Sequence, residues 1–239
     1  MRKLLESPRA VAGMTIENID TDTRLFESEG GHFHLKLVEP GQESRPGTQG
    51  FIADAYRRAF GAELKEFYPS LVALHGVGNG LEGAAGARYA EGQHLFLEQY
   101  LERPIERLIG REAGMPASRE GIVELGNLSV ARPALTYPFI SMIGGWLETY
   151  GVEWIVFSLT RTLQRLFARA GVELVDLGPA EPTRLAPSIN RWGTYYAHQP
   201  RVMAARLTRG LVSFHQRHGD FSGARAQQAE QRQAQACRG

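Results

Sequence analysis

One carboxylate stands inside an otherwise apolar run at Gly121-Ile-Val-Glu-Leu-Gly-Asn-Leu-Ser-Val130. Burying Glu124 there is costly unless it is paired or used in chemistry. Desolvation raises a carboxyl pKa towards the range of a general base, so proton abstraction is the chemistry to look for. Pairing with a cation, or capping a loop, is the structural alternative. Glu98, in Phe96-Leu-Glu-Gln-Tyr-Leu101, is the second candidate base. A strand there sets Glu98 on one face with Phe96 and Tyr100, which equally suits a structural hydrogen bond. Ser158 and Thr160 share a face where the run Trp154-Ile-Val-Phe-Ser-Leu-Thr160 turns polar. They suit contact with a substrate arm or an oxyanion, and Thr160 equally suits a helix cap. Tyr195 and Tyr196 are candidate acids, Tyr196 being preferred, with packing beside Trp192 and Pro200 as the alternative. Strand alternation puts Glu124 with Ile122 and Gly126, and Asn127 with Val123 and Leu125. Only a bulge, expected at Gly126, brings Glu124 and Asn127 to one site.

The elements around these residues alternate. A strand over 121–130 is followed by a helix over 138–150, with Ile140, Ile143 and Leu147 at helical spacing. A strand over 154–160 precedes a helix over 162–170, with Leu163, Leu166 and Phe167 on one face and Gly171 as its stop. This order predicts a parallel crossover, with ligands beyond the carboxyl ends of its strands. The two strands are expected to be adjacent and to diverge towards those ends. Upstream, 32–38 alternates as a half-buried strand, 40–50 reads as a loop, and a helix from Ile52 stops at Gly61. Residues 71–74 and 81–90 form a hairpin, 94–101 reads as a strand, and Pro104 opens a helix towards Arg111. Downstream, Pro200 is expected to open a helix carrying Met203, Leu207, Leu211 and Phe214 on one face. The expected organisation is a flexible arm over 1–30, one domain over 31–218, and a disordered or frayed tail over 219–239.

Of 239 residues, 43% are apolar, enough for a real core, and the formal net charge is +1. Such a balance selects neither nucleic acid nor a membrane surface. The lone Cys237 excludes an internal disulfide framework and fits a reducing compartment. No signal-like start or bilayer-length apolar run appears, so a cytoplasmic protein without stable membrane insertion is expected. His32, His34 and His94 lack zinc-ligand spacing, and no metal is expected.

Several stretches together resemble known families. Leu166-Phe-Ala-Arg-Ala-Gly-Val-Glu-Leu-Val175 is similar to the end of the GNAT (GCN5-related N-acetyltransferase) core. Phe96-Leu-Glu-Gln-Tyr-Leu101 with Pro104-Ile-Glu106, Ile122-Val-Glu-Leu-Gly-Asn-Leu128, Trp154-Ile-Val-Phe157 and Trp192-Gly-Thr-Tyr-Tyr196 resemble the thermostable haemolysin family, over roughly residues 50–210. Val123 to Val130 is also similar to the Glu-Leu-x-Arg strand of acyl-homoserine-lactone synthases, with Asn127 where that pattern has Arg. The resemblance implies an α/β fold with a GNAT-like mixed sheet flanked by helices. It implies an N-acyltransferase without a covalent intermediate, with Glu124 as base. The carrier would enter a splay between strands 121–130 and 154–160. Asn127, Leu128, Ser129, Val130 and Arg132 would meet its arm and phosphate, with Ser158 and Thr160 opposite. The loop Ser129-Val-Ala-Arg-Pro-Ala-Leu-Thr136 lacks the glycines of the Gln/Arg-x-x-Gly-x-Gly/Ala pattern, and Pro133 removes an amide. That departure favours an acyl-carrier protein, whose phosphopantetheine has one phosphate, over acyl-CoA. Arginines at near-helical spacing, Arg103, Arg107 and Arg111 or Arg161, Arg165 and Arg169, would attract that acidic partner. The acceptor would be an amine-bearing small molecule. The rival readings are a membrane-active haemolysin, after the family's name, and a GNAT-like binding subunit without catalysis.

Overall fold

The computed structural model describes residues 18–20, 23–28, 31–76, 78, 80–185 and 191–207. Nine strands form one sheet: β1 (Asn18–Asp20), β2 (Thr23–Ser28), β3 (Gly31–Val38), β4 (Ser70–His75), β5 (Leu81–Tyr89), β6 (Ile122–Val130), β7 (Trp154–Leu159), β8 (Leu174–Pro179) and β9 (Arg201–Arg206). Their spatial order is β1-β2-β3-β4-β5-β6-β7-β9-β8. Every neighbouring pair is antiparallel except β6–β7, which is parallel. Among the described residues, four helices cover the faces: α1 (Arg45–Phe60), α2 (Ile105–Ala113), α3 (Thr136–Glu148) and α4 (Arg161–Arg169). This is the GNAT-like mixed sheet in one domain that the sequence implied.

Helices α3 and α4 supply one outer layer. Phe139, Ile143 and Leu147 pack with Val123, Leu125, Phe157 and Met203. On the other face, Ile105, Leu108 and Ile109 of α2 meet Ile122, Trp154 and Val202. Ile52 of α1 lies there against Leu71 and Ala84. Local signals set the helix ends. Gly61 and Gly114 take φ of 66° after α1 and α2, where residues with Cβ are strained. The Thr160 hydroxyl accepts from the Leu163 amide at the start of α4.

Four expectations are corrected. Residues Asn18–Asp20 and Thr23–Ser28 are paired strands within the segment read as a flexible arm. Helix α1 begins at Arg45, inside the segment read as a loop. Pro46 suits its first turn, and the Arg45 guanidinium fixes that end by donating to the carbonyls of Val38, Tyr68 and Pro69. Residues Phe96–Tyr100 form a 3₁₀ turn rather than a strand. Carboxylates bind the amides there: Glu124 takes those of Phe96 and Leu97, and Glu98 that of Leu95. Residues Arg201–Arg206 form a strand rather than the start of a helix. Val202 and Ala204 pack into one face of the sheet and Met203 and Ala205 into the other. Burial on both faces therefore overrode the helical spacing of Met203 and Leu207. Leu211, Phe214 and the expected tail over 219–239 lie outside the described residues.

Candidate active site

Strands β6 and β7 pair only at Ile122–Trp154, Val123–Ile155 and Glu124–Val156. Beyond Glu124 they separate, as expected from their polar carboxyl ends. A bulge helps open the gap. The β5–β6 register passes from Gly86–Gly126 to Ala84–Ser129, so β6 carries one extra residue. The strained residue is Asn127, at φ 53°, rather than Gly126. Asn127 is 6% exposed, and its Oδ1 has no hydrogen-bond partner among the described residues.

A cleft of about 650 Å³ fills the gap on the α3–α4 side. Asn127, Leu128, Ser129, Val130, Ser158 and Thr160 all line it. Its walls include Leu125, Ile140, Ile143, Phe157 and Phe167, which suit an apolar chain. A second pocket of about 140 Å³ lies towards the 63–68 segment, Arg88, Phe96 and Trp192. Tyr56, Gly126, Asn127, Ser158 and Tyr195 line both spaces. The splay is thus a junction between a larger apolar cleft and a smaller aromatic pocket.

Four chosen residues sit differently from expectation. Glu124 is fully buried and lines neither space. Its carboxylate accepts from the Tyr68 hydroxyl at 2.7 Å and from the amides of Phe96 at 2.8 Å and Leu97 at 3.1 Å. Burial pushes its pKa up, and these donors with Arg88 only partly offset that. Glu98 lies outside both spaces. It bonds Arg119 at 2.7 and 2.8 Å and takes the amides of Leu95 and Ile105. Burial pushes its pKa up, but Arg119 and those amides outweigh it and lower it from 4.5 to about 2. Glu98 is therefore a structural anchor. Tyr196 bonds the Tyr100 hydroxyl at 2.6 Å, and it is Tyr195 that reaches the junction. The Tyr195 hydroxyl lies 2.7 Å from Ser158 Oγ, and burial raises its pKa to about 12 although Ser158 opposes the shift. Exposed Arg132 is not in the cleft lining and lies 3.4 Å from Glu82. The Thr160 hydroxyl is held as the cap of α4.

Sequence reasoning missed Tyr68, Tyr56 and Arg88. A signal for Tyr68 was present. Gly86 and Gly126 face each other across β5 and β6, and a Cβ at Gly86 would sit 2.5 Å from the Tyr68 ring. Glycines inside strands mark such close approaches. Aromatic rings flank Tyr195 at the junction, Phe60 edge-on from the larger cleft and Trp192 tilted from the smaller pocket, with ring centres 5.2 and 5.5 Å away. Among the described residues no cluster of three or more His, Cys, Asp or Glu forms a metal site, and no helix is long and apolar enough to cross a membrane.

Solved acyl-transferring synthases share this mixed-sheet fold. The acyl-homoserine-lactone synthase LasI superposes with a TM-score of 0.51 at 14% identity, covering 77% of this chain and 95% of that one. FeeM, an N-acyl amino acid synthase from uncultured soil microbes, gives 0.52 at 12% identity, covering 74% and 92%. TofI in its apo form gives 0.50 at 13%, covering 75% and 95%. At these identities the likeness defines the fold. The thermostable haemolysin family matches residues 38–211, and the chain belongs to that family. No curated protein matches it.

Proposed function

We propose that the chain is an N-acyltransferase that moves an acyl group from a pantetheine-bearing carrier to the amine of a small molecule. The observation that carries this is the junction at Asn127. There a splayed parallel pair joins an apolar cleft to a smaller pocket and holds a buried, unpartnered carboxamide oxygen. The pantetheine arm occupies the splay and the acyl chain lies against Ile143, Phe157 and their neighbours. The amine enters from the smaller pocket. Its nitrogen attacks the thioester carbonyl, the N–C bond forms, and the C–S bond breaks. The nitrogen's proton passes to the Tyr68 oxygen as Tyr68 hands its own to Glu124. The raised pKa of Glu124 suits a proton acceptor at neutral pH. The Tyr195 hydroxyl, set by Ser158, returns a proton to the leaving sulfur; Glu124 then gives its proton back through Tyr68 to solvent in the smaller pocket, and solvent reprotonates Tyr195. Glu124 is thus a positioning and proton-storing residue behind Tyr68, rather than a base in direct contact.

The donor is a long-chain acyl-carrier protein. Arg161 and Arg165 are exposed on α4, whose Thr162 and Leu163 line the cleft. The Arg103, Arg107 and Arg111 row belongs to the α2 region on the opposite face, so α4 is the docking helix. A cytoplasmic reaction goes with this reading, since a lone Cys237 fits a reducing compartment. The test is native mass spectrometry and a thiol-release assay with acetyl-CoA, long-chain acyl-CoA and the matching acyl-carrier protein. Retention of a long-chain donor and formation of an N-acyl amine are expected. Failure of every donor to bind, with no thiol release, overturns the reading.

A further inference from the structure

We infer that the acceptor is an amino acid, whose carboxylate is read by Arg88 while its amine faces Asn127. The inference rests on the acyl-transfer reading above for the role of the amine. Arg88 lies on β5 directly across from Glu124 and lines the smaller pocket. Its Nε is buried without a hydrogen-bond partner among the described residues. Its Nη1 donates a long hydrogen bond to the His94 carbonyl, at 3.4 Å. Its guanidinium carbon stands 5.5 Å from the centre of the Tyr68 ring, which orients the group. Glu124, the nearest acid across the sheet, already accepts from three donors. The other charged residues of this pocket, Glu63, Lys65, Glu66 and Arg191, are exposed at its rim.

A guanidinium held by a ring, with its Nε–H buried and unmatched, fits the two oxygens of a carboxylate. Asn127 lines the same pocket, and its Oδ1 is a buried acceptor without a donor among the described residues. An N–H matches it. The two unmatched groups therefore ask for an anion and an N–H donor within one small molecule. Leu64, Phe67, Phe96 and Trp192 on the walls suit an apolar side chain.

The test uses the full-length protein and two product analogues, N-dodecanoyl-leucine and its neutral counterpart N-dodecanoyl-leucinamide. Calorimetry is run on the wild type, Arg88→Gln and Arg88→Lys, with thermal melts as a folding control. Binding of dodecanoyl-CoA and of the dodecanoyl-acyl-carrier protein is measured alongside in each. The wild type is expected to favour the acid by about tenfold or more, the scale of a charge-assisted pair. Arg88→Gln is expected to erase that preference and Arg88→Lys to keep part of it, with dodecanoyl-CoA binding unchanged. Equal affinity for acid and amide in the wild type, or a preference that survives Arg88→Gln, overturns the inference. Should neither dodecanoyl-CoA nor the dodecanoyl-acyl-carrier protein bind while the acid preference and its dependence on Arg88 hold, the carrier reading falls and the carboxylate site stands.

Discussion

Two glutamates that look alike in the sequence are driven in opposite directions by what surrounds them. Glu98 has a guanidinium and two amides, and its carboxyl falls to about 2. A depressed carboxyl contributes stability above its unfolded value and loses it as pH falls. Wild-type stability minus that of Glu98→Gln is therefore expected to be steady above pH 4.5 and to shrink from there towards pH 2. Denaturant melts at stepped pH check this; a constant difference would refute it. Glu124 is raised, chiefly by burial. It must be ionised to take a proton, so turnover is expected to rise with pH through a midpoint above 4.5. Glu124→Gln is expected to remove that limb of the pH–rate profile and to lower turnover about 10²-fold. It also sets an amide NH₂ among three donors, so stability is expected to fall by about 1–3 kcal/mol. A melting loss with an unchanged pH profile would leave Glu124 a purely structural residue. The sequence singled out Glu124 because a carboxylate in an apolar strand stands out. It did not show that Tyr68, distant in the chain, takes the place facing the pocket. The resemblance set Arg132 against the carrier's phosphate, and a loop arginine reads the same in the sequence whether it meets a phosphate or, as here, stands exposed near Glu82.

At the scale of elements, the strand–helix–strand unit from β6 to α4 was legible because period and punctuation agreed. Glu98 and β9 misled for a shared reason. A short apolar run bearing one polar group has no unique period, and distant partners decide its form. In the turn at Phe96–Tyr100 the partners are carboxylates, whereas in β9 they are two exposed strand edges. Gly126 was read as the site of the bulge, but its lack of a side chain serves a different end. The Tyr68 ring lies against it, with Cζ 2.5 Å from where a Cβ would be. Gly126→Ala is expected to cost about 1–3 kcal/mol, the scale of overpacking. It should also part Tyr68 from Glu124. Thermal melting and the pH–rate profile test both consequences, and an unchanged melting temperature would refute the seat.

For the molecule as a whole, the formal net charge of +1 hides a local distribution. The exposed arginines of α4 sit beside the larger cleft, while those of the α2 region lie on the far face. Turnover with an acyl-carrier protein is therefore expected to fall with added salt, and turnover with the same acyl group on CoA to fall much less. Reversing charge at Arg161 and Arg165 should reproduce the salt effect, whereas reversal at Arg103 and Arg107 should not. Steady-state rates at stepped ionic strength decide it; equal sensitivity of both donors would refute the docking helix. The order of strands carries a further consequence. Strand β9 lies between β7 and β8 yet follows both along the chain. On its other side β7 has only three paired positions, because the splay leaves the rest open. During synthesis, β7 and β8 therefore emerge before the strand that joins them exists. A nascent chain that ends before Pro200 presents the bare edge of Trp154–Leu159, an apolar template for any passing strand. The splay that admits a ligand thus leaves β7 thinly held on one side, and its other edge stays exposed on the ribosome until β9 is released.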